Sequence, residues 1–270
     1  MKLYKYRQLF NSPNAEANHN TRKMVVEGEI HFSNPLHFND PFDCATYASM
    51  EARDEDVLAT LKQMSRERFP QISGADVDAD ARMRLMRYQK DSEFQREFEE
   101  QTLREHYASR GVFCLSETCT SVPMWAHYAA EHRGICLELD LQRLQDAFPP
   151  ISKVEYPPTL GAYNAVDTLL CSDDVAVRKL VKSFLTKTPE WAYEQEWRII
   201  ADSVGPKNYP LKCLTAVILG CRTSNDCENI VRSWMRERKV PFALRRAVEN
   251  VPEMRLDIVD VMPLTGSARE

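Results

Sequence analysis

Glycine is scarce in this chain, at eight residues in 270. No glycine-rich run opens a helix pattern, so the phosphate loop and the dinucleotide fingerprint of doubly wound nucleotide folds are missing. There is also no His-Glu-x-x-His for zinc hydrolysis, no Gly-x-Ser-x-Gly nucleophile elbow and no Cys-x-x-Cys. No apolar run approaches the ~18 residues that cross a bilayer. The longest, such as Ala216–Leu219, are strand-sized. The start Met1–Arg7 has no apolar segment behind its charges, unlike a secretory signal. These absences predict a cytoplasmic protein without membrane contact, whose eight cysteines are reduced thiols. A net charge of −5 gives no general pull toward nucleic acid.

What is present is the composition of an ordinary globular protein, 43% hydrophobic and 28% charged. Strand patterns (Leu3–Leu9, Glu29–Ser33, Val112–Leu115, Ile135–Leu139, Glu196–Ala201, Thr215–Leu219, Phe242–Val248, Leu256–Val261) interleave with helix patterns without β-α-β regularity. This predicts an α+β fold: a mixed, mostly antiparallel, split sheet with flanking helices. One domain is expected over residues 1–270. A helical insertion falls at about 50–108, where Glu51–Phe69 and Ala79–Tyr107 carry helical spacing among many charges. Further helices are expected over Met124–His132, Val175–Thr186 and Asn225–Lys239, the first of them capped by Ser121.

Three patches stand out chemically: His31–Cys44, Met124–Tyr128 and Trp191–Arg198. Each sets aromatics beside acids, amides or imidazole, which is how small-ligand pockets are lined. In the first, Phe38 and Phe42 bracket Asn39, Asp40 and Pro41, and Asp43 follows. Asn and Asp before Pro make turns by bonding their own backbone; rings stiffened by prolines also make a wall for stacking. In the second, Trp125 and Tyr128 share a helix face, as core anchors or as stacking partners, beside His127. In the third, a strand opening at Glu196 places Glu194 and Glu196 on one face by its period of two. Two such carboxylates are either a charged strand edge or a functional pair. Arg7, at the end of a tyrosine-rich first strand, is suited to a phosphate or a carboxylate. A Cys114, Cys119, His127, His132 series has too short a middle gap for a zinc finger, and no metal is expected there.

Taken in order, Tyr4-Lys5-Tyr6-Arg7, Phe32-Ser33-x-Pro35-x-x-Phe38 through Asp43, Phe113–Ser116, Met124–Tyr128, Gly134–Glu138 and Glu194-x-Glu196-Trp197-Arg198 resemble a bacterial family named only as domain of unknown function 2971. The resemblance runs from Leu3 to about Ala201 and implies no established activity. A looser similarity is to ADP-ribosyltransferases of the Arg–Ser–Glu kind, at Arg7, Ser33 and Glu194-x-Glu196. That similarity implies NAD as substrate, with Arg7 on the pyrophosphate and Ser33 at the nicotinamide ribose. It also implies Glu196 beside the oxocarbenium-like sugar, Glu194 at the acceptor, and Phe38, Phe42 or Tyr128 on the nicotinamide. It makes the chain a transferase acting on a protein or nucleic-acid acceptor, as an effector of phage defence or a toxin. Two other functions fit the same patches. One is a metal-dependent nuclease or phosphoesterase using Asp40, Asp43, Glu194 and Glu196; the other is a sensor that binds a nucleotide-like small molecule without turnover. On any of these, Arg7, Asp43, His127 and Glu196 are expected at one cleft.

Overall fold

The computed structural model describes residues 1–10, 18–44, 54–148, 150–159 and 181–262. Contacts divide the chain into two compact units. One takes Met1–Ser33, Val112–Val154 and Glu190–Glu270; the other takes Asn34–Gly111 and Glu155–Pro189.

The first unit is built on an eight-stranded sheet. Its strands are β1 (Lys2–Arg7), β3 (Gly111–Ser116), β4 (Ile135–Asp140), β5 (Ile151–Lys153), β6 (Glu196–Ala201), β8 (Leu214–Leu219), β9 (Ala243–Asn250) and β10 (Arg255–Asp260), in the order β10-β9-β8-β4-β1-β3-β6-β5. A separate ribbon pairs β2 (Glu29–Phe32) with β7 (Gly205–Asn208). The fold is therefore α+β, with a mixed and mostly antiparallel sheet. β8 and β9 run parallel; such a pair needs a crossover connection, and the helix Asn225–Glu237 lies in it.

Strand alternation gives the sheet two apolar faces. Leu3, Phe113, Leu115, Ile135, Leu137 and Val217 join one cluster together with Met24 and Val25 of α1 (His19–Val26). Val231 and Trp234 of the Asn225–Glu237 helix join the same cluster. That helix starts where Ser224 Oγ accepts from Cys227 N–H, with Asp226 and Glu228 in its first turn. On the other face Tyr6, Cys136, Ile218 and Ala247 pack with Met124 and Trp125 of the helix Val122–Tyr128. Each buried Leu, Ile, Val, Phe or Met among these stabilises the fold by about 1.5–3 kcal/mol.

The second unit contains α2 (Asp54–Arg68), α3 (Gly74–Lys90) and α4 (Ser92–Ala108). Val57, Leu61 and Ala81 form their buried centre. The pattern over Ala79–Tyr107 is two helices rather than one. Asp91 stands extended (φ −122°, ψ 97°) and its carboxylate accepts from the N–H groups of Glu93 and Phe94, capping α4. Of the expected helix Val175–Thr186, residues 175–180 lie outside the described residues, as do 51–53 of Glu51–Phe69.

Among the described residues, α5 is the helix Val122–Tyr128, α6 is Leu141–Ala147 and α7 is Asn225–Glu237. α5 is shorter than its pattern. Ala130, Glu131 and His132 turn left-handed (φ 48°, 53° and 70°), ending it at Tyr128. Ser121 stands at its N-cap, but its side chain makes no capping bond there.

Candidate functional site

β1 meets β4 along its whole length, with six register pairs from Lys2–Asp140 to Arg7–Ile135. It meets β3 at a single pair, Tyr4 opposite Ser116. Beyond that pair the backbone ladder is not continued. The Lys5 ammonium reaches across instead and donates to the Cys114 carbonyl at 2.8 Å. It also stands 4.8 Å from the centre of the Phe113 ring. The sheet is thus split at β1 and β3, and a side chain stitches the split.

Arg7 and Lys5 leave β1 on the same side, two residues apart. Both are half-buried. Arg7 Nε donates to Thr21 Oγ1 at 3.3 Å, and burial pulls its guanidinium below the usual arginine range. Burial likewise lowers the Lys5 ammonium, and the charge of Arg7 adds to the effect. Glu196 and Glu194 oppose it, so their charge is felt at Lys5. No carboxylate among the described residues lies within ion-pair distance of either cation.

The two acids are held separately. Glu194 closes a 3₁₀ turn over Pro189–Glu194, Gln195 is left-handed (φ 46°), and Glu196 opens β6. The period of two therefore does not reach back to Glu194, and the two carboxylates are not strand neighbours on one face. Glu194, 3% exposed, accepts from the Tyr128 hydroxyl at 2.7 Å. Its carbonyl accepts from Ser116 Oγ at 2.6 Å. Glu196, also 3% exposed, takes a two-pronged ion pair from Arg198, with Nε to Oε1 and Nη2 to Oε2, each at 2.8 Å. The Cys114 thiol bonds Glu196 as well. Burial, with the carboxylate's charge behind it, pushes that thiol well up, which keeps it protonated and a poor nucleophile.

Around Glu194 lies a rim of rings. His127 is exposed, with its ring 6.3 Å from that of Tyr128 and 6.4 Å from that of Trp191. Trp191 and Tyr193 follow at 5.9 Å. Trp125 stands apart from this rim. It is fully buried, its indole N–H donates to the Cys119 carbonyl at 2.8 Å, and its ring meets Tyr6 edge-on at 5.2 Å. That makes it a core anchor with no face left for a ligand. Ser33 is exposed, and its backbone bridges Val112 in both directions.

Phe38, Asn39, Asp40, Phe42 and Asp43 belong to the second unit. Asp40 Oδ1 accepts from Phe42 N–H, the turn expected of Asp before Pro, and its Oδ2 is buried without a partner among the described residues. Phe42 is 57% exposed. Asp43 forms a buried ion pair with Lys187 at 3.4 Å, and Cys44 Sγ stands 3.5 Å from its Oδ1. No group of three His, Cys, Asp or Glu side chains among the described residues is arranged to hold a metal.

Within the first unit the structure joins Tyr128, Glu194 and Ser116 by hydrogen bonds, with Glu196 opening the next strand and His127 beside Tyr128, whereas Arg7 and Lys5 leave β1 on the opposite face. Lys5 was legible as a cation two residues before Arg7. Ser116, 1% exposed, was legible only as the last residue of the Phe113–Ser116 stretch that carries the family resemblance.

Residues 124–199 match a family described as "Protein of unknown function (DUF2971)", a span that holds most of α5, all of β4 and the start of β6. No curated protein and no solved structure matches this chain. No helix among the described residues is long and apolar enough to cross a membrane.

Proposed function

We propose that this protein binds a nucleotide-like small molecule of the NAD class where β1 and β3 part. Arg7 holds its phosphate on the Leu3 face of β1, while the rim of His127, Tyr128, Trp191 and Tyr193 lies on the opposite, Tyr6 face. The observation that carries this is Arg7. A half-buried guanidinium with no carboxylate within ion-pair distance among the described residues is costly to keep. A purely structural arginine in such a setting is paired, as Arg198 is with Glu196. Arginine is also the residue suited to planar, two-pronged recognition of phosphate. Glu194 is tied to the place where the strands part through Ser116, which pairs with Tyr4 and donates to the Glu194 carbonyl.

The ground for extending binding to a reaction is the sequence resemblance of Arg7, Ser33 and Glu194-x-Glu196 to Arg–Ser–Glu ADP-ribosyltransferases. A carboxylate beside the ribose stabilises the positive charge that grows as nicotinamide leaves. Glu196 is the residue for that role, and ADP-ribose then passes to a macromolecular acceptor. With both its oxygens on Arg198, Glu196 is half of a neutral pair at rest, so transfer requires the pair to loosen when ligand enters. The nuclease alternative has less behind it: Asp43 already faces Lys187 and Glu196 already faces Arg198, which leaves those carboxylates poorly placed for a divalent cation.

The test is calorimetry of the wild-type chain with NAD, ADP-ribose and AMP, alongside chromatographic assay of nicotinamide release. Binding that collapses in Arg7→Ala supports the proposal. Absence of binding to all three compounds, or equal binding in Arg7→Ala, sinks it. Nicotinamide release abolished in Glu196→Gln adds the transferase step. Binding without release leaves a sensor.

A further inference from the structure

From the geometry of β1 we infer that Lys5 is the second half of an anion clamp with Arg7, and that the group it takes is a diphosphate rather than a single phosphate or carboxylate. This rests on the ligand-binding role proposed for Arg7, for which the resemblance already implies a pyrophosphate, and goes further to a second residue that holds that group.

The donors can be counted. A guanidinium has five N–H donors and an ammonium three. One from Arg7 is engaged by Thr21 Oγ1 and one from Lys5 by the Cys114 carbonyl. Four from Arg7 and two from Lys5 have no acceptor among the described residues. They project from one side of one strand, with Cα atoms about 6.6 Å apart at ~3.3 Å rise per residue. Two cations anchored on different acceptors, Thr21 Oγ1 and the Cys114 carbonyl, and each only half-buried, match a ligand with negative charge on two linked centres.

Lys5 is also where a ligand is needed structurally. Its ammonium occupies the place where β1 and β3 fail to pair, and Arg7 repels it there. The charged groups facing it are Arg7, Glu194 and Glu196, with the Cys114 thiol beside them. Both acids already have donors of their own, Tyr128 and Arg198. An arriving dianion relieves the Lys5–Arg7 repulsion directly, which is a reason for the site to favour two charges over one.

The experiment titrates the full chain with sodium pyrophosphate and, separately, with sodium orthophosphate, followed by calorimetry and by the lysine side-chain ¹⁵N resonances. The expected result is at least tenfold tighter binding of pyrophosphate, with the Lys5 resonance moving in wild type. Lys5→Met loses that preference, Lys5→Arg keeps most of it, and Arg7→Ala weakens both ions. The wild-type resonance reads the contact even if Lys5→Met folds poorly. Equal affinity for the two ions, a Lys5 resonance that stays still at saturation, or a folded Lys5→Met that binds pyrophosphate like wild type each overturns the clamp. The two proposals fail separately. Pyrophosphate held through Lys5 with no nucleotide bound keeps the clamp and removes the nucleotide; nucleotides bound with Lys5 indifferent does the reverse.

Discussion

Tyr128 donates its phenolic O–H to Glu194 Oε1 across 2.7 Å, tying the last residue of α5 to a carboxylate 66 positions later in the chain. The bond matters because Glu194 is almost wholly buried. Hydrogen bonds to charged groups contribute about 1.5–3 kcal/mol. Tyr128→Phe keeps the ring and deletes only the donor, so it is expected to lower unfolding free energy by about 1.5–3 kcal/mol in urea titration. A change below about 0.5 kcal/mol would mean that the bond contributes nothing net.

The Glu196–Arg198 pair is buried on both sides, with Arg198 at 0% exposure. Breaking such a pair from one side strands a charge and costs about 3–5 kcal/mol, whereas replacing both partners by apolar groups costs far less. Glu196→Gln and Arg198→Met are each expected to be strongly destabilising, and the pair Glu196→Leu with Arg198→Met milder than either. Thermal melts of the three variants check the order, which matters for any activity measured in Glu196→Gln.

Arg7→Ala is expected to separate function from folding. Without an ion pair to lose, the variant should give up only the Thr21 hydrogen bond and some packing of its stem, about 0.5–1.5 kcal/mol. Ligand affinity should fall at least tenfold, about 1.4 kcal/mol. A stability loss well beyond that range would mark Arg7 as scaffold.

The lowered Lys5 ammonium gives a pH dependence with a definite sign. Its folded pKa lies below the unfolded value of about 10.4. Between those two values the unfolded chain holds a proton that the folded chain has released, so Lys5 makes stability rise with pH across that window. Anion affinity runs the other way and is lost as pH rises through the lowered pKa, because the ligand needs the ammonium. Subtracting Lys5→Met from wild type isolates both slopes from the other titrating groups. A wild-type affinity that stays flat into the alkaline range contradicts them.

Gly134 lies directly against the strand that carries the cations. A Cβ there would come within 2.3 Å of the Arg7 carbonyl oxygen and 2.9 Å of that of Ala129. Gly134→Ala must therefore push β1 or the turn after α5, at a cost of about 1–3 kcal/mol. If the push falls on β1, ligand affinity should drop with stability; the two are read together by melting with and without pyrophosphate.

The strand pattern and the α+β class were legible because alternation of apolar residues is written into each strand, Ile135–Leu139 most clearly. The breaks were harder. Nothing at Gln195 announces a left-handed residue, yet it decides that Glu194 and Glu196 belong to different elements. The same holds for Ala130–His132, where three successive non-glycine residues take positive φ and cut α5 short. Such conformations are imposed by tertiary packing, not by local preference. Trp125 and Tyr128 show the limit from another side. Helical spacing put them on one face, but only coordinates tell the sealed indole from the phenol that reaches Glu194.

β1 is bordered on both sides in the sheet, by β4 and by β3. A chain without it would present two half-sheets, β10-β9-β8-β4 and β3-β6-β5, each with a newly bare rim, and such rims pair readily with other polypeptides. Loss of this one strand would thus leave a sticky remnant rather than a feebler copy of the protein.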